Sequence, residues 1–256
     1  MLRLDVITSA FFYYTFTEGI STMNLKTLGS YTWRIIKFIL LGLCLILPQQ
    51  VFALPYILPQ NFSPLATNIL MWGLLLLGYA LMIVIFSYQF KKGQPTSNKI
   101  FQKLSNQDIN AIITGFIVLF IIKIIYVMLT SQAGQTQNDQ ALQQMFKLST
   151  NAALMMFLMT AIFAPLCEEL LFRGIFMRYF FPKNTVLAIF FSGLVFGALH
   201  FHLGDIFWTL LLYCALGWVL AYYYKKTNKL LVSILIHFLN NILPALFMLF
   251  SVLFTK

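Results

Sequence analysis

Seven apolar runs, at about residues 35–58, 64–90, 110–131, 148–172, 185–203, 206–224 and 230–254, constrain this chain more than any other feature. Each is close to the roughly 20 residues that a helix needs to cross a bilayer. The 256 residues are 60% hydrophobic and only 9% charged, against about 25% charged in a soluble domain. Such a chain lacks the polar surface to coat a water-soluble globule. In lipid every backbone N–H and C=O must find its partner inside the protein, which leaves helices or closed barrels. Run length selects the helix. The expected fold is an all-α, polytopic membrane helix bundle of about seven transmembrane helices, in a multi-pass protein of the cell membrane.

Charge placement orients the bundle. Arg34 and Lys37 precede the first run; Lys91, Lys92, Lys99 and Lys103 follow the second; Arg173, Arg178 and Lys183 follow the fourth; Lys225, Lys226 and Lys229 follow the sixth. All four sets fall on one side if the N-terminus is cytoplasmic, the side on which short loops collect Lys and Arg. The Gln-rich loop 132–146, with no Lys or Arg, then lies outside. The net charge of +10 thus implies contact with lipid and no nucleic-acid partner. Cys44, Cys167 and Cys214 all lie in apolar runs, not in a framework of loop cysteines, so structural disulfides are not expected. The organisation reads as an N-terminal cytoplasmic or interfacial segment (1–33), N-terminal membrane helices (34–147) and a C-terminal membrane core (148–256), the last two forming one membrane domain. Met23 is a candidate natural start, and Pro48-Gln-Gln breaks the first run. Lys123 stands alone in the third, where it snorkels or faces a watery interior.

Within the oily C-terminal half, the ionisable residues are few. Glu168 and Glu169 are adjacent, with Arg173 the only compensating charge nearby. A charged side chain at the bilayer centre costs about 2.5–3.5 kcal/mol even on lenient scales, which makes such groups functional-site candidates. All three histidines, His200, His202 and His237, lie between residues 200 and 237. Helical spacing assigns faces. Glu169 and Arg173 are four apart and can pair, while Glu168 is rotated about 100° from Glu169. Phe196 and His200 share a face, as do His237 and Asn241; Asn240 points away from Asn241 and is expected to pack or to bond backbone. Rises of about 1.5 Å per residue put His200 roughly 25 Å from Lys183 and Asn241 roughly 18 Å from Lys229, depths at which the set can converge. A straight helix over 148–181 is too long for one span, so Pro165 is expected to kink it into two halves.

Three motifs stand in order in membrane helices: Glu168-Glu169-x-x-x-Arg173, Phe196-x-x-x-His200 and His237-x-x-x-Asn241. Together they resemble the CPBP family, which comprises the type II CAAX prenyl endopeptidases and the related bacterial bacteriocin-processing or immunity (Abi) proteins. The resemblance spans about residues 148–245. It implies an intramembrane glutamate-type endopeptidase acting on a peptide or protein substrate in the membrane. Glu168 matches the catalytic glutamate and His200 its partner in activating water. His237 and Asn241 match the residues that polarise the scissile carbonyl and stabilise the oxyanion. Glu169 and Arg173 match a structural or substrate-positioning pair. His202 has no counterpart and reads as incidental.

The chemistry is coherent apart from the resemblance. Peptide hydrolysis needs a water made nucleophilic and a developing oxyanion held in place. No cofactor is implied; zinc is a minority alternative, because two histidines and a glutamate can ligate it, although no His-Glu-x-x-His pattern is present. Cys167, beside two acids in an apolar run, is poorly placed as a thiolate nucleophile. The competing functions are a non-catalytic bacteriocin self-immunity or scaffold protein and, less favoured, a proton-coupled transporter, for which the paired broken helices of an internal repeat are missing. The substrate's identity and the oligomeric state are not encoded in any motif.

Overall fold

The computed structural model describes residues 25–92, 100–130 and 136–254. Met23, most of the segment 1–33, Lys99 and the first part of the 132–146 loop lie outside them. The described residues form helices joined by turns and loops, with no strand among them. Six helices are long and apolar enough to cross a membrane: Gly29–Ile57, Pro64–Lys91, Asn106–Thr130, Thr150–Phe180, Phe207–Thr227 and Leu230–Phe254. This is a multi-pass membrane protein. The fifth apolar run is also a helix, Thr185–His200, but its 16 residues reach only about 24 Å, short of a hydrocarbon core of about 30 Å. It ends early because the chain turns. Gly204 adopts φ +99°, and Asp205 Oδ2 accepts the backbone N–H of His202 at 2.9 Å.

By compactness the chain divides into Met1–Leu40 and Leu41–Lys256. The helix α1 (Leu25–Cys44), whose residues up to Leu40 belong to the first unit, is already helical ten residues before the apolar run begins. Its Trp33, Ile35, Ile36, Ile39 and Leu40 are exposed, as lipid-facing side chains are. In the second unit, the break at Pro48 is a 3-10 turn, Leu47–Ala53, that leads into the short α2 (Leu54–Ile57).

Helix starts follow from local chemistry. Ser63 caps α3 (Pro64–Lys91), accepting from Ala66 N at 3.1 Å with Pro64 in the first turn. Ser105 and Asp108 bond reciprocally at the start of α4 (Asn106–Thr130). Residues 137–146, expected as loop, form α5 (Gln137–Phe146), because Thr136 and Asp139 make a capping box in which each side chain accepts the other's backbone N–H. Asn184 caps α9 (Thr185–His200), and Asn228, at φ 52°, closes α10 (Phe207–Thr227) before α11 (Leu230–Phe254) begins.

Basic helix ends are held by hydrogen bonds. Arg178 donates to the carbonyls of Phe90 and Gln89, and Lys229 donates to Lys103 O at 3.1 Å and pairs with Asp108. Among the described helices, α9 and α10 make the most extensive contact. Small residues permit the approach: a Cβ on Gly197 would lie 2.7 Å from the backbone nitrogen of Cys214, and one on Gly217 would lie 2.8 Å from Gly193 Cα.

The segment Thr150–Phe180 carries the glutamates and is not the pair of half-helices expected from Pro165. It runs α6 (Thr150–Leu158), a π-helical turn (Met159–Phe163), α7 (Ala164–Glu169), a second π-helical stretch (Leu170–Phe176) and α8 (Met177–Phe180). The ladder widens where a sharp kink was expected. Ala164 N–H bonds Met159 O, five residues back. The donor due to Thr160 O in that register is Pro165, which has no N–H. Asn241 Nδ2, from α11, supplies it at 3.0 Å. The freed carbonyl is thus satisfied by a neighbouring helix, as membrane helices require.

Candidate active site

Glu169 is completely buried and every oxygen has a partner. Oε1 accepts from Arg173 Nη1 at 3.0 Å, one turn along the same helix, and from His237 Nδ1 at 2.9 Å. Oε2 bonds Ser233 Oγ, which also lies 3.1 Å from Leu220 O. Arg173, equally buried, donates through Nη2 to the carbonyl of Gly217 at 2.8 Å. Its guanidinium lies over the ring of Phe196, 4.8 Å from the centroid, so the positive charge meets the negative face of an aromatic ring. The ion pair therefore joins the broken helix to α9, α10 and α11.

Glu168 faces elsewhere. Its Oε2 is buried without a hydrogen-bond partner. It lies 3.9 Å from His200 Nε2 and 3.9 Å from His237 Nε2, and the carboxylate side chain keeps 16% of its surface exposed. Both separations are too long for a direct hydrogen bond. The tautomers follow from the other ring nitrogens. His200 Nδ1 is 2.9 Å from Phe196 O, and a carbonyl only accepts, so Nδ1 carries the proton. His237 Nδ1 likewise faces a carboxylate oxygen. In the neutral rings both Nε2 atoms are acceptors, and they converge with a third acceptor, Glu168 Oε2. A water, which donates twice, suits that arrangement.

The rings are packed. Phe196 stacks on His200 at 4.3 Å and meets His237 edge-on at 5.8 Å. The geometry therefore brings together Glu168, Glu169, Arg173, His200 and His237. Asn241 is different: its amide is occupied by Thr160 O and by Asn240 Nδ2, which donates to its Oδ1 at 2.8 Å. Asn240 thus bonds a side chain, where backbone bonding or packing was expected. His202 is exposed; its backbone N–H donates to Asp205 Oδ2 and its carbonyl accepts the Asp205 N–H.

Three contributors were not singled out in the sequence: Ser233, the Gly217 carbonyl and the Thr160 carbonyl. Ser233 had a signal, since it lies four residues before His237 and shares its face. The carbonyls had none, because any residue supplies one. Among the described residues, no group of three or more His, Cys, Asp or Glu has the geometry to hold a metal ion. Cys44, Cys167 and Cys214 are free thiols.

Residues 150–243 match the family model described as type II CAAX prenyl endopeptidase Rce1-like. A Bacillus subtilis (strain 168) protein named "Putative membrane peptidase YdiL" is 31% identical over 108 residues, which cover 42% of this chain and 41% of that protein. The chain thus aligns with less than half of that relative's length. No solved structure matches.

Proposed function

We propose that the chain, whose residues 150–243 match the type II CAAX prenyl endopeptidase Rce1-like model, is an intramembrane glutamate-type endopeptidase that hydrolyses a peptide bond in a membrane-associated or hydrophobic peptide. The observation that carries this reading is the partnerless Glu168 Oε2, 3.9 Å from each of two imidazole Nε2 atoms. A water bonded to Glu168 Oε2 and His200 Nε2 is oriented for attack, and its proton passes to these acceptors as its oxygen adds to the carbonyl carbon. His237 serves the carbonyl oxygen: its Nε2, carrying a proton taken from solvent before the peptide binds and kept through the reaction, donates to the oxyanion while Glu169 stands as counter-ion at Nδ1. The Asn241 amide hydrogen not used by Thr160 can add a second donor. Proton return to the leaving amine completes hydrolysis, with water divided between the two new termini.

Two features favour peptide hydrolysis over the rivals. A scaffold or self-immunity protein has no need of a buried, unpaired carboxylate aimed at two imidazoles. A transporter relay needs polar groups continuing across the membrane, whereas Glu169, Arg173 and Ser233 close the inner side of the cluster. We place the protein in the cell membrane with its N-terminus cytoplasmic, on the distribution of basic helix ends.

The test is cleavage of hydrophobic peptides by the purified protein in lipid nanodiscs, followed by mass spectrometry. Wild type cleaves, and Glu168→Gln and His200→Ala lose at least about 100-fold. Equal cleavage by both variants would overturn the proposal. Activity that disappears with a chelator and returns with zinc would replace the water-only mechanism with a metal-assisted one.

A further inference from the structure

His200 lies between two aromatic rings, and only one belongs to its own helix. Phe196 stacks on it at 4.3 Å with 29° between planes; Tyr213, from α10, stacks on it at 5.0 Å and 26°. Two rings stacked on one imidazole occupy its opposite faces. Tyr213 is itself buried and tethered. Its hydroxyl shares a 3.0 Å hydrogen bond with Thr136 Oγ1, also buried. Thr136 is the cap of α5, where its Oγ1 accepts Asp139 N–H at 3.1 Å. The same helix start is held from the His200 side as well: Asp205 accepts Gln137 N–H at 3.0 Å through one oxygen and His202 N–H at 2.9 Å through the other.

A single hydrogen bond, Nδ1 to Phe196 O, leaves the imidazole free to rock about that bond. Rocking would swing Nε2 away from Glu168. A ring on each face removes this freedom, and a tethered ring removes it better than a free one. We propose that Tyr213 is a positioning residue: it holds the plane of His200 so that Nε2 faces Glu168, and its hydroxyl anchors that plane to the cap of α5. The α5 start, which lies between two membrane helices and outside both, thereby sets the geometry of the site. This rests on the reading of His200 as a water-activating group.

The experiment uses full-length protein in lipid nanodiscs, with 15N-labelled histidine, of which the chain has only three. Wild type, Tyr213→Phe and Tyr213→Leu are compared for kcat, KM and the nitrogen shifts of His200. Tyr213→Leu is expected to lower kcat about 30-fold or more, since small misplacements of a catalytic group are costly. KM should stay within about two-fold, and the single Nδ1–H tautomer of His200 should become a mixture. Tyr213→Phe keeps the ring and loses the tether; it restores the tautomer, and its kcat is about 3- to 10-fold below wild type, the worth of one hydrogen bond. Unchanged kcat and an unchanged tautomer in Tyr213→Leu overturn the proposal. If that variant does not fold, a Tyr213→Phe protein with wild-type kcat and wild-type His200 line widths overturns it. If wild type cleaves no peptide, hydrolysis fails as the function, and the tautomer in Tyr213→Leu still decides whether Tyr213 positions the ring.

Discussion

One helical position separates two regions of opposite character. Around Glu169, both carboxylate oxygens are bonded, and Arg173, His237 and Ser233 are closed into a buried knot joining three other helices. Around Glu168, an oxygen faces two imidazole nitrogens without bonding either. The residue type and the chain neighbours are nearly the same, although Glu169 is completely buried and Glu168 keeps part of its side chain exposed. What differs is the rotation of about 100° per residue, which turns one carboxylate into the α10–α11 contact and the other toward the histidines. Adjacent identical residues thus meet opposite surroundings: Glu169 is bonded at both oxygens, and Glu168 is the one that the proposed mechanism makes reactive.

The comparison predicts that substitutions on the Glu169 side act on stability. The largest effect is expected from Arg173→Met, which leaves Glu169 buried without its counter-charge. The loss should be about 3–5 kcal/mol, and Glu169→Gln together with Arg173→Met should recover most of it, because an isolated buried charge costs more than a missing pair. Thermal unfolding in nanodiscs measures both; wild-type stability in Arg173→Met would mean that the knot does not hold the fold. Asn241→Ala comes next. It strands the Thr160 carbonyl, for a loss of about 1–3 kcal/mol, and hydrogen exchange should rise around residues 159–164. Ser233→Ala should cost about 1 kcal/mol in the same unfolding assay, because Glu169 keeps two of its three partners. Loss of peptide cleavage without loss of stability in this variant would merge the two regions. Lys229→Ala is the smallest: its pairing with Asp108 is partly exposed, so the effect should stay below about 1 kcal/mol and shrink as salt rises.

The sequence shows the parts of this arrangement that lie within one helix. The Glu169–Arg173 pair follows from a spacing of four, and the basic helix ends from the apolar runs they border. The seven runs are all helices, although the run containing His200 is cut short by the Gly204–Asp205 turn. Parts that depend on two helices were not legible. Pro165 announces a disturbance, but whether a helix kinks or widens depends on whether another helix can supply the missing donor, and Asn241 lies 81 residues from Thr160. His237 stands out in the sequence as a candidate site residue, but its bond to Glu169 does not, because nothing in local spacing states which of two adjacent carboxylates a distant imidazole meets. Tyr213 is one of 12 tyrosines, and only the packing of α9 on α10 distinguishes it.

Glu168→Gln distinguishes the two carboxylates by experiment. The substitution removes the proposed base and is expected to leave shape and the Glu169 knot unchanged. Peptide cleavage and thermal unfolding are measured on the same nanodisc preparation. Stability should stay within about 1 kcal/mol of wild type, and cleavage should fall at least about 100-fold. A variant that unfolds early, or one that is stable and still cleaves, would contradict the proposed division between Glu168 and Glu169.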